Sequence, residues 1–94
     1  MNIIICDDRI DDRKNLSDLL SDYGEKKNYE FAITEYDSGE QLCEEQSALE
    51  ACQILFLDIN MQGMDGLKTA MRIKEKYPKL PVVLVTAYMN YALD

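Results

Sequence analysis

The 94-residue sequence predicts an α/β domain, a parallel sheet wound on both faces by helices. Three observations carry that expectation. Short apolar runs at residues 2–6, 54–57 and 82–85 alternate with segments whose apolar residues recur at helical spacing. The run Ile54-Leu55-Phe56-Leu57 is apolar without alternation, as suits a strand buried between two helix layers. All three runs end in polar residues, Asp7-Asp8, Asp58 and Thr86, and in such folds ligands sit beyond the carboxyl ends of the strands.

The first strand, residues 2–6, is a continuous apolar run too short for a helix. Over residues 9–23, Leu16, Leu19, Leu20 and Tyr23 recur at helical spacing, and Gly24 supplies a stop. Phe31, Ile33 and Glu35 alternate with Ala32, Thr34 and Tyr36 in a second strand, whose mixed polarity suits an edge. Ser38-Gly39-Glu40-Gln41 fits a capping box: the serine oxygen accepts the third helical N–H and the glutamine reaches back. It opens a second helix carrying Leu42, Cys43 and Leu49. After the third strand, Asp65-Gly66 caps a helix over residues 67–77 with Leu67, Ala70, Met71 and Tyr77 inward. Pro78 ends that helix, since its ring clashes with the preceding turn and it has no N–H. Pro81 leads into the fourth strand, and residues 87–93 read as the start of a further helix.

The length suits one domain, residues 1–94. Hydrophobic residues make up 47% and charged residues 30%, the balance of a folded globular chain. No apolar run approaches the roughly 20 residues of a membrane span. Residues 1–5 also lack the basic start and cleavage site of a signal peptide, so a cytoplasmic chain without membrane contact is expected. The net charge of −8 repels phosphate backbones, leaving any DNA contact to an effector domain outside this sequence. That same charge gathers cations in a carboxylate-lined cleft. Cys6, Cys43 and Cys52 are odd in number and lack metal-ligand spacing, so they are read as reduced packing residues. The absence of histidine excludes Ser-His-Asp triads and histidine-ligated zinc.

If the strands before Asp7-Asp8, Asp58 and Thr86 lie side by side, three carboxylates and a hydroxyl meet on one rim. Like charges that close repel and raise each other's pKa. A hard divalent cation relieves the conflict, and oxygen ligands with retained water suit Mg2+. Such a cation also lets a carboxylate meet a phosphoryl dianion. Each residue has a plainer explanation when taken singly. Asp7-Asp8 could start a helix, Asp58 could serve a turn, and Thr86 could cap a helix. Their shared placement is what favours chemistry. Asp58 to Gly63 also looks like the start of an EF-hand, but Thr69 occupies the twelfth position that requires glutamate. An aspartyl-phosphate phosphatase would use the same nucleophile; such enzymes carry a second aspartate two residues on, where this chain has Asn60.

Over its whole length the sequence resembles the response regulator receiver family. Cys6-Asp7-Asp8, Leu57-Asp58-Ile59-Asn60-Met61-Gln62-Gly63-Met64-Asp65-Gly66 and Val82-Val83-Leu84-Val85-Thr86-Ala87 carry the resemblance. It implies a flavodoxin-like, doubly wound sheet of order 2-1-3-4-5. It implies that Asp58 accepts a phosphoryl group from a sensor histidine kinase, with no turnover of an independent substrate. Asp8, Asp58 and the backbone carbonyl of Asn60 would hold Mg2+, with Asp7 acting largely through water. Thr86 would hydrogen-bond the phosphoryl group and signal its arrival. Gly63 and Gly66 would shape the loop by admitting positive φ and close backbone approach.

Gln62 stands where the family usually has proline, which is expected to loosen the loop slightly. Residues 86–94 look like the same segment of regulators with a LytTR-type DNA-binding domain, so a transcription regulator is the expected whole protein. The sequence stops at Asp94, ahead of the family's fifth strand, phosphate-contacting lysine, switch aromatic and fifth helix. A receiver-like interaction module that no longer signals by phosphate is the alternative this raises. Residues 82–85 are then expected to form an exposed apolar edge, covered in a homodimer or domain-swapped oligomer.

Overall fold

A computed structural model describes residues 1–85; the expectations for Thr86 and for a helix at residues 87–93 lie outside the described residues. The elements follow in the order β1 (Asn2–Cys6), α1 (Ile10–Lys27), β2 (Ala32–Tyr36), α2 (Gly39–Glu44), α3 (Gln46–Ala51), β3 (Ile54–Asp58), α4 (Gly66–Lys76) and β4 (Val82–Val85). The sheet order is β2-β1-β3-β4 and every pairing is parallel, as expected for a doubly wound sheet. Among the described residues β2 and β4 are the edges, and the side chains of Val83 and Leu84 on β4 are exposed.

The central strands are apolar on both faces because both faces are covered. Register pairs Ile4 with Leu55 and Cys6 with Leu57, and these four point into one cluster with Leu42, Leu49, Ile73 and Leu80. Ile3 and Ile5 alternate to the opposite face and are just as buried. Burying each such aliphatic side chain contributes about 1.5–3 kcal/mol relative to exposure. Cys6 and Cys52 sit in the core, and burial raises both thiol pKa values, Cys6 to about 12. They pack as small hydrophobes, as the sequence suggests.

The helices depart from expectation in three places. α1 does not stop at Gly24 but continues to Lys27, and Asn28 takes the left-handed cap with φ 58°. The Tyr29 N–H then bonds the Gly24 carbonyl at 2.8 Å. Gly24 is buried instead, because a Cβ there would lie 3.1 Å from the Phe31 ring. The single helix expected after Ser38 is two. Ser38 Oγ accepts the Gln41 N–H as predicted, but the chain breaks at Glu45 (φ −88°, ψ 66°) and restarts as α3.

The third departure is the face of α4. Gly66, Thr69 and Ile73 are buried, Ala70 and Tyr77 are half-buried, and Leu67 and Met71 are 54% and 72% exposed. The cause is close packing with α2: a Cβ on Gly39 would collide with Thr69 Oγ1. Small residues therefore claim the inner face, and Thr69 satisfies its hydroxyl by donating to the Asp65 carbonyl at 2.9 Å. In urea unfolding, Gly39→Ala is expected to lose about 1–3 kcal/mol through overpacking. Adding Thr69→Ala should recover part of that loss, as a double-mutant cycle would show; strictly additive costs would refute the contact.

A carboxylate cluster at the strand ends

Parallel pairing of β1 with β3 runs up to Cys6 opposite Leu57, so the next residues, Asp7 and Asp58, fall side by side. Asp8 follows, and one carboxylate oxygen from each of the three lies within 4.8 Å of the others. Asp7 and Asp58 are each only 7% exposed, and Asp8 is half-buried. Backbone donors hold all three. The Arg9 N–H donates to Asp7 Oδ1 at 2.9 Å, the Asn60 N–H to Asp58 Oδ1 at 3.1 Å, and the Gln62 N–H to Asp8 Oδ2 at 3.1 Å.

Burial pushes the Asp7 carboxyl up to about 6, against the Arg9 N–H and with help from the neighbouring Asp58 charge. The sequence reading placed charge repulsion first; desolvation outweighs it. Asp8 Oδ1 is buried and accepts no hydrogen bond among the described residues. Mg2+ binds oxygens at ~2.0–2.1 Å, so opposite ligands stand about 4 Å apart, and the cluster needs less than about 1 Å of closing to match. A bare buried oxygen, two desolvated carboxylates and an all-oxygen donor set fit that ion. A cleft lined by Asp8, Arg9, Asp37, Ser38, Asn60 and Gln62 opens beside the cluster.

The loop after Asp58 is tied down at both ends. The Ile59 N–H donates to the Val85 carbonyl at 3.1 Å, and the Gly66 N–H to the Ile59 carbonyl at 3.3 Å. Gly63 has φ 74°, the left-handed region, whereas Gly66 serves close approach: a Cβ there would collide with the Asp58 carbonyl oxygen. Asp7, Asp8, Asp58 and Asn60 are thus brought together as predicted, with both glycines shaping the loop. Two further residues escaped the sequence reading. Arg13 donates Nη1–H to the Asp7 carbonyl at 2.8 Å and Nε–H to Glu35 Oε1 at 3.2 Å. Glu40 Oε1 accepts the Met64 N–H at 3.2 Å. Nothing in their spacing sets them apart from ordinary helix-surface charges.

The raised pKa of Asp7 fixes the sign of a pH effect. The folded carboxyl titrates near 6 against an ordinary 3.8, so its contribution to stability is present below the lower value and lost as pH rises through the higher. Metal-free protein should therefore lose stability between about pH 4 and 7 from this group. Asp7→Asn keeps an acceptor for Arg9 and should be more stable than wild type at pH 7 by about 1 kcal/mol or more. Urea titrations across that range would check it; an unchanged pH slope in Asp7→Asn would contradict the assignment.

Comparison with known proteins agrees with this geometry. The response regulator receiver domain profile matches residues 3–93. The response regulator protein FleR of Pseudomonas aeruginosa is 38% identical over 79 residues, covering 84% of this chain and 16% of FleR. The DNA-binding transcriptional regulator NtrC of Escherichia coli is 37% identical over 57 residues, covering 61% of this chain and 12% of NtrC. The chain thus spans less than a fifth of the length of either relative. The response regulator protein TrrA of Thermotoga maritima, solved with Mg2+-BeF, superimposes with a TM-score of 0.80 at 28% identity, over 99% of this chain and 75% of that one. With its profile, sheet order and acidic rim in agreement, the chain belongs to the response regulator receiver domains of two-component signalling.

Proposed function

We propose that Asp58 is the phosphoacceptor of a phosphorelay switch. The observation that carries this reading is the buried cluster of Asp7, Asp8 and Asp58 with an orphaned Asp8 oxygen. Asp8 and Asp58, with the Asn60 backbone carbonyl, would hold Mg2+, and Asp7 would act largely through water. Bound there, the ion supplies neutralisation of the charge between a carboxylate and a phosphoryl dianion. A carboxylate oxygen of Asp58 attacks the phosphorus of a phosphohistidine on a sensor kinase. The P–N bond breaks, its electron pair leaves with the imidazole, which takes up a proton, and an acyl phosphate remains on Asp58. The Asn60 N–H holds the Asp58 carboxylate in place for that attack.

Two residues after Asp58, the neutral amide of Asn60 cannot serve as a general acid or base, which supports an acceptor that turns over no independent substrate. Phosphorylation adds about −1.5 to −2 charge to the rim and biases the surface beyond it. The printed names of FleR and NtrC support an effector that controls transcription, and the resemblance of residues 86–94 supports one of LytTR type. In that reading DNA contact belongs to the effector and the protein works in the cytoplasm; among the described residues no helix is long and apolar enough to cross a membrane. Exposed Val83 and Leu84 support self-association of this chain, which light scattering tests.

Intact-mass measurement after incubation with acetyl phosphate and Mg2+ tests the acceptor. One phosphoryl group is expected on wild type, none on Asp58→Asn, and none when EDTA removes the ion. Phosphoryl addition that survives Asp58→Asn would overturn the assignment.

A further inference from the structure

Three alternate amides of the loop after Asp58 donate to carboxylates on three separate segments. Asn60 N–H bonds Asp58, Gln62 N–H bonds Asp8, and Met64 N–H bonds Glu40. The middle bond joins the loop to a residue 54 positions away in sequence, at the end of β1. It engages Asp8 Oδ2 and leaves Oδ1, which is buried and has no partner among the described residues. A carboxylate with one oxygen held has little freedom to rotate, so its other oxygen stays where it is aimed. The resemblance described above sets Gln62 where proline is expected, and proline has no N–H to make this bond. The expected loosening of the loop by Gln62 is therefore offset by a tie that the usual residue cannot form.

We infer that Gln62 is a positioning residue for the cation: its backbone N–H orients Asp8 so that the bare oxygen is preset before Mg2+ arrives. The inference rests on the Mg2+ reading above and assigns this chain a means of ordering the site that the usual proline cannot supply. The role belongs to the main chain, so the glutamine side chain contributes nothing to it. Without the bond, Asp8 must be ordered at the moment of binding, and immobilising one such side chain weakens affinity by roughly two- to tenfold.

Mg2+ binding measured by isothermal titration calorimetry on wild type, Gln62→Ala and Gln62→Pro tests this. Gln62→Ala keeps the N–H and should match wild type, while Gln62→Pro should bind roughly two- to tenfold more weakly. A second readout does not depend on the proline variant folding. In metal-free wild type the Gln62 amide should be protected from hydrogen exchange, and Asp8→Ala should remove that protection. Equal affinity in wild type and Gln62→Pro, equal weakening by Gln62→Ala, or an unprotected Gln62 amide overturns the role of Gln62 while the Mg2+ reading stands. Wild type that takes up no Mg2+ overturns the reading on which the role rests.

Discussion

The in-register pairing of β1 with β3 is the constraint on which the rest depends. It sets Asp7 beside Asp58 at the point where two buried strands leave the core. Two carboxylates placed there face both a desolvation cost and each other, an arrangement that is unfavourable unless every lone pair finds a donor or a cation. Much of the surrounding detail answers that cost. The Arg9, Asn60 and Gln62 amides each occupy one oxygen, and Arg13 fastens the Asp7 peptide to the neighbouring strand through Glu35.

The core supplies the stability that such a site consumes. Ile3, Ile4 and Ile5 on β1 and Leu55 and Leu57 on β3 are almost completely buried, directly beneath the acidic rim. Their combined burial far exceeds the cost of holding one carboxyl near a pKa of 6. A strongly apolar strand followed at once by a desolvated acid is thus one design: the strand makes the acid tolerable, and the acid makes the strand end useful. Functional sites commonly break local rules in this way while the surrounding structure compensates.

What was legible in the sequence was what depends on the period of a strand and the residue at its end. The apolar runs gave the sheet, and their terminal Asp7, Asp8 and Asp58 gave the cluster. Helix faces were less legible because tertiary packing chose them. Leu67 and Met71 read as core by hydrophobicity, yet the approach of Gly39 to Thr69 turns the small residues of α4 inward. Gly24 read as a terminator, yet its lack of a side chain makes room for Phe31. Arg13 and Glu40 were invisible for a different reason: Glu35 and the Met64 N–H lie more than 20 residues from them, the Asp7 carbonyl is a main-chain group, and no side-chain spacing encodes such pairings.

The hydrogen bond from Ile59 to the Val85 carbonyl extends the β3–β4 ladder one step beyond Asp58. The peptide that follows Asp58 and the last carbonyl of β4 are therefore joined through main-chain atoms. Any tug on the Asp58 carboxylate that tilts the Ile59 peptide reaches the exit of β4 through main-chain atoms alone.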